Sequence, residues 1–278
     1  GQRLGLFAGS GVGKTTLLGQ LARGVEADVV VLALVGERGR ELRDFLDEVL
    51  GPEGLARAVV VTATSDRAPL ARRRAALAAM TVAEHVRDGG AQVLLLCDSV
   101  TRFAEAHREI ALAAGEAPSL RGFPPSTAHQ IMALAERAGP GLDGQGDITA
   151  LFTVLVAGSD MDEPVADILR GVLDGHVVLD RAIAERGRFP AVDLLRSVSR
   201  SLPAAATPGE NAMIAEARRL LGAWERVETM VQAGLYAQGS DALADRAIRL
   251  WPKLDAFLAG QGASPAESFA RLRKVLDG

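Results

Sequence analysis

Apolar positions fall into two alternating patterns through most of the chain. A short apolar segment spans Leu4–Ala8, and short runs rich in β-branched residues and bounded by breakers occupy Asp28–Val35, Ala58–Thr62 and Gln92–Cys97. Unbroken apolarity over so few residues marks strands buried on both faces, as in a parallel sheet. Between them, Glu41–Leu50, Pro69–Arg87 and Val100–Ala113 space their apolar residues at helical intervals. Further strands are predicted at Ile148–Ala157 and His176–Leu179. This β–α alternation predicts an open, mostly parallel α/β sheet with ligands at the strands' carboxyl ends. Gly115–Ser126 is too rich in Pro and Gly for helix or strand, and Gly139–Asp147 reads as a glycine-rich turn. Ser201–Gly209, with Pro203, Pro208 and a run of alanines, reads as a linker. Beyond it the pattern is helical over Asn211–Ala233, Asp241–Leu250, Pro252–Leu258 and Ala266–Leu276. The expected organisation is an α/β domain over 1–204 and a small helical domain over 205–278.

The first strand runs straight into Gly9-Ser10-Gly11-Val12-Gly13-Lys14-Thr15-Thr16 and then a helix face of Leu17, Leu18 and Leu21. Strand, glycine loop and helix with Lys-Thr at its start is the setting of a phosphate-binding P-loop. The glycines leave backbone N–H groups free to converge on phosphate oxygens, and the helix N-terminus adds its positive dipole end. Lys14 is placed to reach the β/γ-phosphates, and the Thr15 hydroxyl to ligate Mg²⁺. Ala8 stands where the motif usually has Gly, which is tolerable if that residue need not take a positive φ. The ligand this predicts is a nucleoside triphosphate.

Two acids sit at strand ends. Val93-Leu94-Leu95-Leu96-Cys97-Asp98 has the form of a Walker B strand, whose acid would hold Mg²⁺. An acid that caps the following helix is the alternative. Gly36-Glu37-Arg38-Gly39-Arg40-Glu41 follows the second strand, where a carboxylate can face a γ-phosphate and polarise the attacking water. Arg38 could pair with Glu37 or touch phosphate. Taken alone, that cluster reads equally well as a solvated helix start.

Composition changes the picture little. The chain has 278 residues, 48% apolar and 24% charged, an ordinary globular balance. Its net charge is −4, from 31 basic and 35 acidic residues, so bulk charge does not call for a nucleic-acid partner. Cys97 stands alone and cannot form an internal disulfide, which suits a reducing cytoplasm. The sequence opens on Gly1 directly before the first strand, which predicts a piece cut at a domain boundary.

Several segments together resemble a known family. They are Gly-Glu-Arg-Gly-Arg-Glu (36–41), Ala-Thr-Ser-Asp-Arg (63–67), Leu-Cys-Asp-Ser-Val-Thr-Arg-Phe (96–103), Arg-Glu-Ile-Ala-Leu-Ala-Ala-Gly-Glu-Ala-Pro (108–118) and Leu-Asp-Gly-His-Val-Val-Leu (173–179). The succession is similar to the rotary-type export ATPases of flagellar and injectisome type III secretion, relatives of the F1 β subunit, and it covers nearly the whole chain. Gly-Leu-Tyr-Ala-Gln-Gly-Ser-Asp (234–241) and Ala-Ile-Arg-Leu-Trp-Pro-Lys-Leu-Asp-Ala-Phe-Leu (247–258) look like the flagellar branch.

The resemblance implies a RecA/F1-like P-loop core, ATP and Mg²⁺ as ligands, and ATP hydrolysis at the subunit interfaces of a homohexameric ring. It places Glu37 as the catalytic glutamate, Arg38 as the arginine beside it, and Arg102 near the phosphates. Phe189 matches an aromatic residue that packs against adenine, although a Phe there could equally be core. Arg200 matches an arginine finger reaching the neighbouring subunit's nucleotide. The implied partners are a stator-like regulator, a coiled-coil stalk protein, the export gate and chaperone–cargo complexes docking on the helical domain. The implied location is the cytoplasm at the inner face of the export apparatus, with only peripheral membrane association and no nucleic acid. Members carry an N-terminal β-barrel that helps hold the ring, and its absence here predicts weak ring formation. His129 and Gln130 stand where apolar residues are commoner, which predicts a slightly altered pore-side loop. Phe189-Pro190 replaces Tyr-Pro, keeping the ring and dropping a hydroxyl. The alternatives are an injectisome ATPase, an F1 or V-type rotary subunit, and a nucleotide-binding ring subunit that never hydrolyses. The last would be expected to lack Glu37.

Overall fold

The computed structural model describes residues 1–156 and 161–278. They form two compact units, Gly1–Arg181 and Ala182–Gly278.

The first unit is a parallel sheet with helices packed on it. Its strands are β1 (Arg3–Ala8), β2 (Val29–Val35), β3 (Ala58–Ala63), β4 (Val93–Asp98), β6 (Asp147–Leu155) and β7 (Gly175–Leu179), in the spatial order β3-β2-β4-β6-β1-β7. A short β5 (Gly139–Pro140) adds antiparallel to β6 inside the predicted turn. Every residue of β4 is buried, and so are the last six of β2. That is why these runs carry no polar alternation. The strand expected over Ile148–Ala157 is β6, and Ala157 lies outside the described residues.

The helices are α1 (Lys14–Gly24), α2 (Gly39–Asp44), α3 (Gly51–Ala56), α4 (Pro69–Asp88), α5 (Val100–Ala113), α6 (Ser126–Glu136) and α7 (Pro164–Val172). The predicted helix Glu41–Leu50 is α2 continued by a π-helical turn at Phe45–Leu50. Helix α4 buries Ala75, Ala76, Ala79, Met80 and Ala83, a small-residue face that lies close against the sheet. Three helices escape the apolar pattern, α3, α6 and α7, each short and opening at or beside a proline. His129 and Gln130 belong to α6 and not to a loop.

The Pro/Gly-rich segment before α6 is tied down by a polar chain. Arg73 Nη1 lies 3.2 Å from His107 Nδ1 and can only donate, so Nδ1 accepts and Nε2 carries the proton. Nε2 donates to Ser126 Oγ at 2.8 Å, and Ser126 Oγ donates to Glu116 Oε2 at 2.5 Å. Glu116 also accepts from the Ser126 backbone N–H and so caps α6. Burial, and then the Arg73 charge, hold His107 below the ordinary histidine value, while Glu116 pulls weakly the other way. A base whose folded pKa is depressed stabilises the fold above its unfolded value, and the benefit is lost as pH falls towards the folded one. Melting temperature should therefore drop as pH is lowered from about 6.5, and His107→Gln should flatten that slope. An unchanged slope in the variant would remove His107 from the cause.

The second unit holds β8 (Val192–Ser199), α9 (Pro208–Gln232), α10 (Ala242–Ala259) and α11 (Pro265–Asp277); the short α8 (Arg181–Glu185) leads into it. Helix α9 opens with a full capping box, Thr207 and Glu210 exchanging bonds. Arg218 ties α9 to the Leu194, Leu195 and Ser197 carbonyls of β8. The helices expected to break at Pro252 are one continuous α10. Proline costs that helix a hydrogen bond, but buried Leu250 and Leu254 anchor it on either side. Trp251, next to the proline, stacks on Trp224 of α9 with ring centres 5.0 Å apart.

Candidate nucleotide-binding site

The carboxyl ends of β1, β2 and β4 lie along one edge of the sheet, where the parallel order brings their loops together. Ala8 is the buried last residue of β1, with no positive φ, so the alanine fits there without strain. The loop Gly9–Gly13 then turns into α1, with Gly13 at the N-cap in the left-handed region, φ +87°. No side chain caps α1 and its first turn holds no acid. The free N–H groups and positive dipole end stay available to an anion. Thr15 and Thr16 are exposed at this turn, as is Ser10 in the loop.

Lys14 stands between two carboxylates. Its Nζ donates to Asp98 Oδ1 at 2.6 Å and lies 3.8 Å from Glu37 Oε1. Asp98 is the last residue of β4 and only 6% exposed. The helix after it is capped by Ser99, whose Oγ accepts from the Arg102 N–H, so Asp98 is not spent as a cap. Its Oδ1 also accepts from Thr153 Oγ1 at 2.6 Å. Among the described residues no hydrogen bond reaches Oδ2.

Glu37 is positioned by the end of β2. Gly36 takes φ +75°, and a Cβ there would come 2.7 Å from the Arg102 Cβ. Glycine thus permits both the turn and the close approach to α5. The Gly36 N–H donates to Ala63 O and the Glu37 carbonyl accepts from the Ser65 N–H, fixing the turn to the end of β3. Glu37 Oε1 is buried and accepts no hydrogen bond. Burial is the largest influence and raises the Glu37 pKa; Lys14 opposes it, while Asp98 and Glu41 add to it. Such a carboxylate is a stronger base than one in water.

The other predicted residues are placed as follows. Arg102 packs its stem on Gly36 and pairs with Glu105 at 2.8 Å. Arg38 is 80% exposed along its side chain and pairs with Glu41, not Glu37. Phe189 is 50% exposed, so it is not a buried core side chain. Arg200 is an exposed residue directly after β8. Phe189 and Arg200 belong to the second unit, the P-loop residues to the first. The pattern-based reading missed Thr153, although a lone hydroxyl in the apolar run Ala150–Leu155 was a visible signal. Cys97 is sealed in β4, where burial and then the Asp98 charge push its thiol up to about 12. It should resist alkylation at neutral pH until the fold opens, which mass spectrometry after iodoacetamide treatment would read.

The donors suit a hard divalent ion: a hydroxyl at Thr15 and a free carboxylate oxygen on Asp98. Among the described residues no three His, Cys, Asp or Glu side chains converge. The described residues thus offer few ligands, which would leave the remaining positions to phosphate oxygens and water, as magnesium prefers.

The sequence pattern of the "ATP synthase alpha/beta family, nucleotide-binding domain" matches residues 1–199, and that of the "T3SS EscN ATPase C-terminal domain" matches residues 206–277. The chain is 51% identical to the flagellum-specific ATP synthase of Caulobacter vibrioides over 99% of this chain and 64% of that protein. It is also 51% identical to the type 3 secretion system ATPase of Xanthomonas euvesicatoria, over 89% of this chain and 56% of that one. It therefore spans less than two thirds of the length of either relative. The assembled ATPase EscN of the enteropathogenic E. coli type III secretion system superposes with a TM-score of 0.92 at 43% identity, covering 99% of this chain and 67% of EscN. EscN in complex with its central stalk EscO superposes with a TM-score of 0.89 at the same identity, covering 99% of this chain and 66% of that one. The open α/β fold and its helical extension are those of the type III secretion ATPases, and the chain belongs to the ATP synthase alpha/beta family.

Proposed function

We propose that this chain is the catalytic and C-terminal part of an ATPase that energises flagellar type III protein export. The observation that carries the reading is Lys14 held between Asp98 and Glu37 at the mouth of an uncapped helix. Lys14 leaves Asp98 to bind the β/γ-phosphates, joined by the N–H groups of Gly9–Thr16. Thr15 and Asp98 would hold Mg²⁺, which would supply neutralisation of the phosphate charge. Glu37 orients a water in line with the γ-phosphate and takes its proton. Arg102 steadies the phosphate end, Arg38 follows Glu37 in sequence but pairs with Glu41, and Phe189 stacks on adenine. Arg200 reaches the nucleotide of a neighbouring copy in a homohexameric ring.

Functionally, residues 1–204 are the ATPase and residues 205–278 the docking domain for chaperone–cargo complexes. The assembled EscN and its complex with a central stalk support an oligomer with a stalk partner; the homohexameric ring, a coiled-coil stalk, a stator-like regulator and the export gate complete the reading. The site of action is the cytoplasmic face of the membrane. No helix among the described residues is long and apolar enough to cross it. The 51% identity to a type 3 secretion system ATPase favours an injectisome as the second reading.

Nucleotide binding tests the site without requiring a ring. Lys14→Ala should abolish Mg·ATP binding measured by calorimetry, since Arg102, paired with Glu105, does not replace the ammonium. Binding that survives in the variant would move the nucleotide elsewhere.

A further inference from the structure

We propose that Thr153 is a positioning residue for magnesium: its hydroxyl holds the Asp98 carboxylate in the metal-binding orientation whenever Lys14 is engaged with phosphate. The inference rests on the reading of Asp98 as a magnesium-binding carboxylate.

Thr153 is fully buried on β6, one strand over from β4. Its hydroxyl has one hydrogen to give and two acceptors in range, Asp98 Oδ1 at 2.6 Å and the Cys97 carbonyl at 3.3 Å. The shorter contact, to an ionised acceptor, is the stronger one. Lys14 Nζ donates to the same oxygen, so Oδ1 takes both donors and Oδ2 receives none among the described residues. The two donors differ in what they can do. Lys14 sits on a flexible stem and is needed at the phosphates, so nucleotide binding draws it away from Asp98. Thr153 is β-branched on a central strand, with a stiff χ1 and no room to swing. When the ammonium leaves, the hydroxyl alone keeps Oδ1 occupied and the carboxylate plane fixed. Oδ2, which receives no hydrogen bond among the described residues, is then left for a metal-bound water or the ion itself. Without the hydroxyl, Asp98 would lose both donors at the moment the metal arrives and would be free to rotate about χ2, a soft torsion.

The role predicts a loss confined to the metal-dependent part of nucleotide affinity. ADP binding to the full 278-residue chain is titrated by calorimetry in excess MgCl₂ and in EDTA, for wild type, Thr153→Val, Thr153→Ser and Asp98→Asn. Valine keeps the branched shape and deletes only the hydrogen bond. Thr153→Val should lose about tenfold of the magnesium-dependent gain, equivalent to about 1.4 kcal/mol, with affinity in EDTA unchanged. Thr153→Ser should restore the gain. Asp98→Asn should abolish it. If Asp98→Asn leaves the gain intact, the reading of Asp98 fails and the inference with it. If Asp98→Asn removes the gain but Thr153→Val does not, the inference alone is wrong. Equal losses with and without magnesium, or a valine variant that unfolds while the serine variant melts normally, would make the hydroxyl a support of the fold and overturn the proposal.

Discussion

Glu37→Gln should leave Mg·ATP affinity close to wild type while hydrolysis falls roughly 10²–10⁴-fold, the usual worth of a positioned base. The phosphate and metal contacts come from the P-loop and Asp98, and Glu37, 3.8 Å from Lys14, makes neither of them. What disappears is a half-buried carboxylate whose Oε1 is buried and accepts no hydrogen bond and whose basicity burial has raised. The pH profile carries a second signature. A base works only when deprotonated, so wild-type turnover should fall as pH drops through the raised Glu37 value, above the ordinary 4.5. Steady-state phosphate release across pH, alongside nucleotide titration, reads both effects. Turnover in the variant equal to wild type would take Glu37 out of the mechanism.

Arg200→Ala should be nearly inactive in an assembled ring, since an arginine finger is worth roughly 10³–10⁵ in kcat. If Arg200 acts across an interface, it and Glu37 serve opposite faces of one contact. Mixing the Arg200→Ala and Glu37→Gln chains, each extended by a family N-terminal barrel, regenerates some interfaces carrying both intact groups. Part of the activity should return on mixing and vanish on dilution. Two folded, assembled variants that give no rescue would refute the action in trans.

Much of the site was legible because each of its parts has a local signature. The P-loop announces itself by glycines before Lys-Thr, and β4 by an apolar run ending in Asp98. Their meeting is a property of parallel order: β1 and β4 flank β6, so residues 84 positions apart come to share a hydrogen bond. Thr153 was hidden for the same reason, since its partner lies on the neighbouring strand and strand pairing is not written into either segment. Pro252 misled because a local cost was weighed without the packing of Leu250 and Leu254 that outweighs it. The π-helical turn at Phe45–Leu50 has no periodic signature distinct from a helix. Arg38 drew attention as a neighbour of Glu37 in sequence, yet adjacent side chains diverge at a helix start, and it faces Glu41 one turn on. Phe189 and Arg200 owe their proposed roles to family resemblance, because neither a half-exposed Phe nor an exposed Arg carries a local pattern that points to a nucleotide.

The central claim is that ATP is cleaved at this P-loop and not merely held there, as a non-hydrolysing ring subunit would hold it. A single-turnover experiment decides it, with protein in excess over γ-labelled ATP and concentrated enough for subunits to meet. Bound ATP should convert to ADP and phosphate in the presence of Mg²⁺ and survive intact in EDTA. Labelled ATP that binds with Mg²⁺, depends on Lys14 for binding, and is nonetheless recovered uncleaved would contradict the account.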